Sequence, residues 1–104
     1  MNPDRIEWGT GQIQHWNLAF LDEARPLAAQ VLELKEDLAQ VAYPSRVILD
    51  IGWYPEFSEG GAFEVCVVRN DEWDKPLFRT RCSTIAALLD AISEAVALAT
   101  EFTP

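Results

Sequence analysis

The side chains able to do covalent or metal chemistry are few. His15 is the single histidine, and Cys66 and Cys82 are the only cysteines in 104 residues. A reactive thiol needs a base or cation that holds it as thiolate, and a zinc site needs ligands in short paired spacings. Neither cysteine has a histidine near it in sequence, and no Cys-x-x-Cys or His-Glu-x-x-His occurs. Both cysteines are read as small hydrophobes of the core, kept as thiols in a reducing compartment. Gly9 and Gly11 lack the strand, third glycine and helix that would make a phosphate-cradling loop. The reading therefore assigns no catalytic residue, no cofactor and no metal, and expects a protein that is not an enzyme.

Carboxylates are plentiful, but their setting matters. Asp71, Glu72 and Asp74 share a polar turn, where solvation leaves them poor acid–base catalysts. Asp50 and Glu64 are expected on one sheet face with Arg79 and Arg81, where cross-strand charge pairs satisfy them. The aromatics fall into two groups. Phe63 and Phe78 alternate with polar residues as core positions do, whereas Trp53, Tyr54, Phe57 and Trp73 lie at strand ends or in turns. Those four either close the ends of a small core or form an anchor set rimmed by Glu56, Glu59, Asp71, Glu72 and Asp74, of the type enriched in protein interfaces.

The charge balance narrows the partners. Seventeen acids against eight bases give a net charge of −9, and the segment 83–104 holds three acids and no base. Such a field opposes direct contact with a nucleic-acid backbone or an anionic membrane and draws in a basic protein. Glu33, Glu36 and Asp37, like Asp90 and Glu94, are expected on solvated helix faces, where they aid solubility or steer a partner. The candidate partner-binding residues are thus Glu33, Glu36, Asp37, Trp53, Tyr54, Glu56, Glu59, Asp71, Glu72, Trp73 and Asp74.

The elements that must position them follow from periodicity. Leu27, Val31, Leu34, Leu38 and Val41 are spaced four, three, four and three, which predicts a helix from about residue 26 to 42 after a shorter one near 16–24. Gln30, Glu33, Glu36, Asp37 and Gln40 fall on its polar side. Pro26 suits a first turn, and Tyr43-Pro44 ends the helix. Residues 1–15 read as irregular, with Trp8 or Trp16 docking them. Alternation then predicts strands over 46–53, 62–69 and 77–82, joined by polar turns. Ser83 or Thr84 caps a final helix to about Thr100, with Ile85, Leu88, Leu89, Ile92, Val96 and Ala99 as its buried stripe. The expected fold is one α+β domain over 1–104: an N-terminal helical segment, a three-stranded antiparallel meander, and a C-terminal helix packed on the sheet. No apolar run approaches the roughly 20 residues that span a bilayer, and the N-terminus lacks the features of a secretory signal, so a soluble cytoplasmic protein is expected.

The stretch Ile48-Leu49-Asp50-Ile51-Gly52-Trp53-Tyr54-Pro55-Glu56, with Asp71-Glu72-Trp73-Asp74-Lys75-Pro76-Leu77 after the second strand, resembles a pattern in small bacterial immunity proteins of contact-dependent growth inhibition systems. The similarity covers roughly residues 46–95. It implies a cytoplasmic protein that binds and neutralises a toxin domain, often a nuclease, and it transfers no binding residue to any position. A basic nuclease suits an acidic inhibitor. The alternative is a small acidic adaptor, homodimeric through Ala86, Ala87, Ala91, Ala95 and Ala97 of the C-terminal helix.

Overall fold

The computed structural model describes residues 1–102. Five strands lie side by side in chain order: β1 (Gln12–Trp16), β2 (Ala39–Tyr43), β3 (Val47–Tyr54), β4 (Ala62–Arg69) and β5 (Phe78–Cys82). Every neighbouring pair is antiparallel. Among the described residues one α-helix, α1 (Ile85–Ala99), follows, and short 3-10 turns occupy Pro3–Arg5, Leu27–Glu33 and Pro44–Arg46.

The expected three-stranded meander with an N-terminal helix is corrected on both counts. No α-helix forms over 16–42; that stretch yields a single 3-10 turn and the strand β2, and residues 12–16, expected to be irregular, supply β1. The physical reason lies in what β3 needs. Its run of Val, Ile, Leu and Trp favours a sheet with a neighbour on each side, and β2 fills the side that β4 leaves open. Within β2 the residues Ala39, Val41 and Tyr43 are buried in alternation, a period the helical spacing concealed. Leu34 and Leu38 are fully buried as the helical stripe implied, but in a loop and at a strand end.

Gln30 is a second correction. Expected on a solvated face, it is buried, and its amide knots the preceding loop. Its oxygen accepts from the Asp22 N–H at 2.9 Å, and its nitrogen donates to the carbonyls of Asp22 at 3.0 Å and Arg25 at 3.1 Å. These bonds satisfy backbone groups that a helix would have satisfied internally.

Directly paired residues share a sheet face, so the register separates two surfaces. On one lie Val41, Leu49 and Val67, then Ile51 and Val65, then Trp53, Phe63 and Cys82. These pack with Leu88, Ala91, Ile92, Ala95 and Ala99 of α1 into one core, joined by Leu18, Leu21, Leu34 and Leu38 from the first loops. Small residues on α1 let the helix lie close to the sheet. Thr84 caps it, its hydroxyl oxygen accepting from the Ala87 N–H at 3.0 Å. Trp8 and Trp16 meet edge to face, 5.8 Å between ring centres, and tie the first residues to β1. No helix among the described residues is long and apolar enough to cross a membrane.

Candidate functional site

The loop 55–61 between β3 and β4 is held from inside. The Trp53 indole N–H donates to the Ser58 carbonyl at 2.9 Å, and the ring packs edge to face on Phe63. A Cβ at Gly61 would lie 2.4 Å from that indole nitrogen, so glycine lets the loop close over the ring. Trp53 is only 3% exposed. Of the two readings of the strand-end aromatics, core closure holds for this tryptophan.

Phe57 is different. Its φ of 59° puts a bulky side chain in the left-handed region, where few residues other than glycine and asparagine sit without strain. The conformation is fixed by its N–H, which donates to the Leu34 carbonyl at 2.7 Å. The ring is left 48% exposed, and Leu32 beside it is 81% exposed. With Phe20, Asn17, Glu33 and Lys35 these residues line a groove of about 300 Å³.

Acids gather at this end of the sheet. Glu33 lines the groove, Glu56 and Glu59 flank Phe57 along the chain, and Glu36 and Asp37 sit in a bulge leading into β2. That bulge is set by backbone bonds to β3: the Trp53 N–H donates to the Lys35 carbonyl at 2.9 Å and the Leu38 N–H to the Ile51 carbonyl at 3.1 Å. Between them residues 36–37 arch over Gly52, whose missing side chain makes the space. The Tyr54 hydroxyl donates to the Glu36 carbonyl at 3.3 Å, and the His15 imidazole lies 3.3 Å from the Asp37 carboxylate. Burial, then Asp50, Glu36 and Glu64, raise the Tyr54 phenol above its ordinary range.

The eleven candidate residues therefore do not form one surface. Glu33, Glu36, Asp37, Tyr54, Glu56 and Glu59 collect at the end of the sheet where β3 finishes. Asp71, Glu72, Trp73 and Asp74 lie at the end where β3 begins, roughly 23 Å away along the strand. There Trp73 is 42% exposed and Leu77 45%. The Arg46 guanidinium lies 3.3 Å from the Asp71 carboxylate, and Lys75 shares the loop, so little charge stands unbalanced. Leu32 and Phe20 escaped the sequence reading. The signal for Leu32 was present: it falls outside the Leu27, Val31 and Leu34 stripe, so even a helical reading leaves it facing solvent.

The sheet face opposite α1 carries a polar row across all five strands: His15, Gln40, Asp50, Cys66 and Arg79. The Gln40 amide donates to the Asp50 carboxylate at 2.9 Å. Glu64 takes both arginines, Arg79 and Arg81 each at 3.3 Å, so the expected cross-strand pairing forms around Glu64 while Asp50 turns to Gln40. Burial pushes the Cys66 thiol up to about 11, with Asp50 adding to the effect. Such a thiol is a poor nucleophile at neutral pH. Cys82 lies on the helix side of the sheet, its thiol also raised by burial, and both cysteines are free. Among the described residues no group of three His, Cys, Asp or Glu side chains is placed to hold a metal ion.

Comparison with protein-family models, curated proteins and solved structures finds no match to this chain. Ala91 and Ala95 of α1 pack in the core, and the outer face of the helix presents Ala86, Asp90, Glu94 and Ala97. Its surface is thus partly charged rather than a continuous small-residue stripe.

Proposed function

We propose that this chain is an immunity-type inhibitor that acts in the cytoplasm, binding and neutralising a basic toxin domain of the nuclease class. The observation that carries the reading is the clustering at one end of the sheet. Glu33 and Lys35 line the groove with exposed Leu32 and Phe57, Glu56 and Glu59 lie in the Phe57 loop, and Glu36 and Asp37 lie in the bulge at the same end of the sheet. Exposed apolar side chains inside a charged rim are the usual anatomy of a protein-binding surface. The sign of the rim selects a cationic partner and speeds its capture. A nuclease must carry positive charge to hold phosphates, which makes it the partner class that best fits an acidic rim.

The test is co-expression with the product of the adjoining open reading frame in a sensitive host. Full protection is expected from the native chain, and a loss of at least tenfold in protection when Glu33, Glu36, Asp37, Glu56 and Glu59 are together made glutamine or asparagine. Undiminished protection by that variant, or a neighbouring product as acidic as this chain, would overturn the reading.

A further inference from the structure

We infer that the groove of Phe20, Leu32 and Phe57 seats an apolar side chain of the partner, carried in a short segment that places lysine or arginine directly beside it. The inference rests on the functional reading above and makes its contact specific. The groove, at about 300 Å³, is at the small end of binding-pocket sizes and suits a side chain rather than a large ligand. Its walls are preformed. Phe57 is pinned through its N–H to the Leu34 carbonyl, and Lys35 through its carbonyl to the Trp53 N–H, so little ordering is needed on binding.

The charge pattern chooses the neighbours of that side chain. Glu33 belongs to the groove wall, and Glu56 lies next to Phe57 in the chain, so a segment laid across the groove brings its flanking residues to carboxylates. Against the five acids of this end stand Lys35, in the groove wall, and Arg81, which donates to the Tyr54 carbonyl at 3.3 Å but is itself paired with Glu64; His15 lies beside Asp37. The Trp73 and Leu77 end also exposes apolar side chains, but there Asp71 is paired with Arg46 and Lys75 shares the loop of Asp71, Glu72 and Asp74. Charge complementarity to a cationic segment is therefore a property of the Phe57 end.

Three capped synthetic peptides test this on the full chain labelled with ¹⁵N: Lys-Leu-Arg-Leu-Lys, Lys-Gly-Arg-Gly-Lys and Glu-Leu-Glu-Leu-Glu. The first is expected to shift amides at 20, 32–35 and 57, to bind at least tenfold more tightly than the second, and to leave 73 and 77 unmoved; the third is expected not to bind. Leu32→Ser and Phe57→Asn, both at exposed positions and the second compatible with the left-handed backbone, are expected to reduce binding of the first peptide tenfold with an unchanged circular dichroism spectrum. Equal affinity of the two cationic peptides would overturn the groove inference while leaving capture of a basic partner standing. If neither cationic peptide binds this end yet the chain still neutralises its toxin, the groove inference again falls alone. Failure of both the peptides and the protection assay would remove the functional reading with it.

Discussion

Asp50 shows how much one carboxylate can reveal about its surroundings. Burial lifts its pKa above the ordinary 3.8; the Gln40 hydrogen bond pulls it back, Asp37 raises it further and His15 lowers it. Because the folded-state pKa exceeds the unfolded one, the charged form weakens the native state once pH rises through the folded value. Below the unfolded value both states are protonated and the penalty is gone. Asp50→Asn, which keeps an oxygen for the Gln40 amide, is therefore expected to be more stable than the native chain at pH 7 and no more stable at pH 3. Denaturant midpoints of the variant and the native chain at the two pH values check this, and a variant no more stable than the native chain at pH 7 would show that the Gln40 hydrogen bond offsets the cost of burial. At this scale the sequence was partly readable. Alternation placed Asp50 and Glu64 on one face with Arg79 and Arg81, yet only the register could say that Glu64 takes both guanidinium groups. Phe57 stood out as a turn aromatic, but its exposure follows from a φ of 59° that no sequence pattern announces.

Among the elements, the bulge over Gly52 links stability to the acidic end. A Cβ at Gly52 would stand 2.2 Å from the Glu36 carbonyl oxygen, a backbone atom that can yield only by moving residues 35–37. Gly52→Ala is expected to cost about 1–3 kcal/mol, as overpacking does. Urea unfolding measures the cost, and an unchanged midpoint would mean that the bulge relaxes freely. The same region explains where element prediction failed. Leu38-Ala39-Gln40-Val41-Ala42-Tyr43 satisfies a helical spacing with the leucines before it and a strand alternation within itself, and leucine and alanine favour helix in isolation. Pairing with β3 decides between them, and pairing is a long-range fact. β1 was hidden for another reason: Gln12, Ile13 and Gln14 on the sheet's edge are exposed, so the polar-inclined strand lacks the buried alternation that marks β3 and β4. The last helix was legible because its cap and its stripe are both local, with Thr84 accepting from Ala87 and Leu88 and Ile92 buried one turn apart.

For the molecule as a whole, the net charge of −9 sets how it meets others. If acid-driven steering governs capture, the association rate with the basic partner falls about tenfold or more between 10 and 150 mM salt, while dissociation changes far less. Stopped-flow measurement separates the two, and an association rate indifferent to salt would confine the acids to solubility. Fold and charge were unequally readable at this scale: the charge is a count, whereas the contrast between the acidic Phe57 end and the nearly balanced Trp73 end emerges only once β3 holds them apart. Connections over 44–46, 55–61 and 70–77 join β2 through β5, but 17–38 separates β1 from its partner. During vectorial synthesis β1 leaves the ribosome well before β2 and must wait unpaired until β2 emerges. It is also an edge strand and carries a register shift between Ile13 and His15, so it is the natural place for the sheet to fray. A detached β1 would bare the β2 edge, turning a protective margin into a template for stray chains to join.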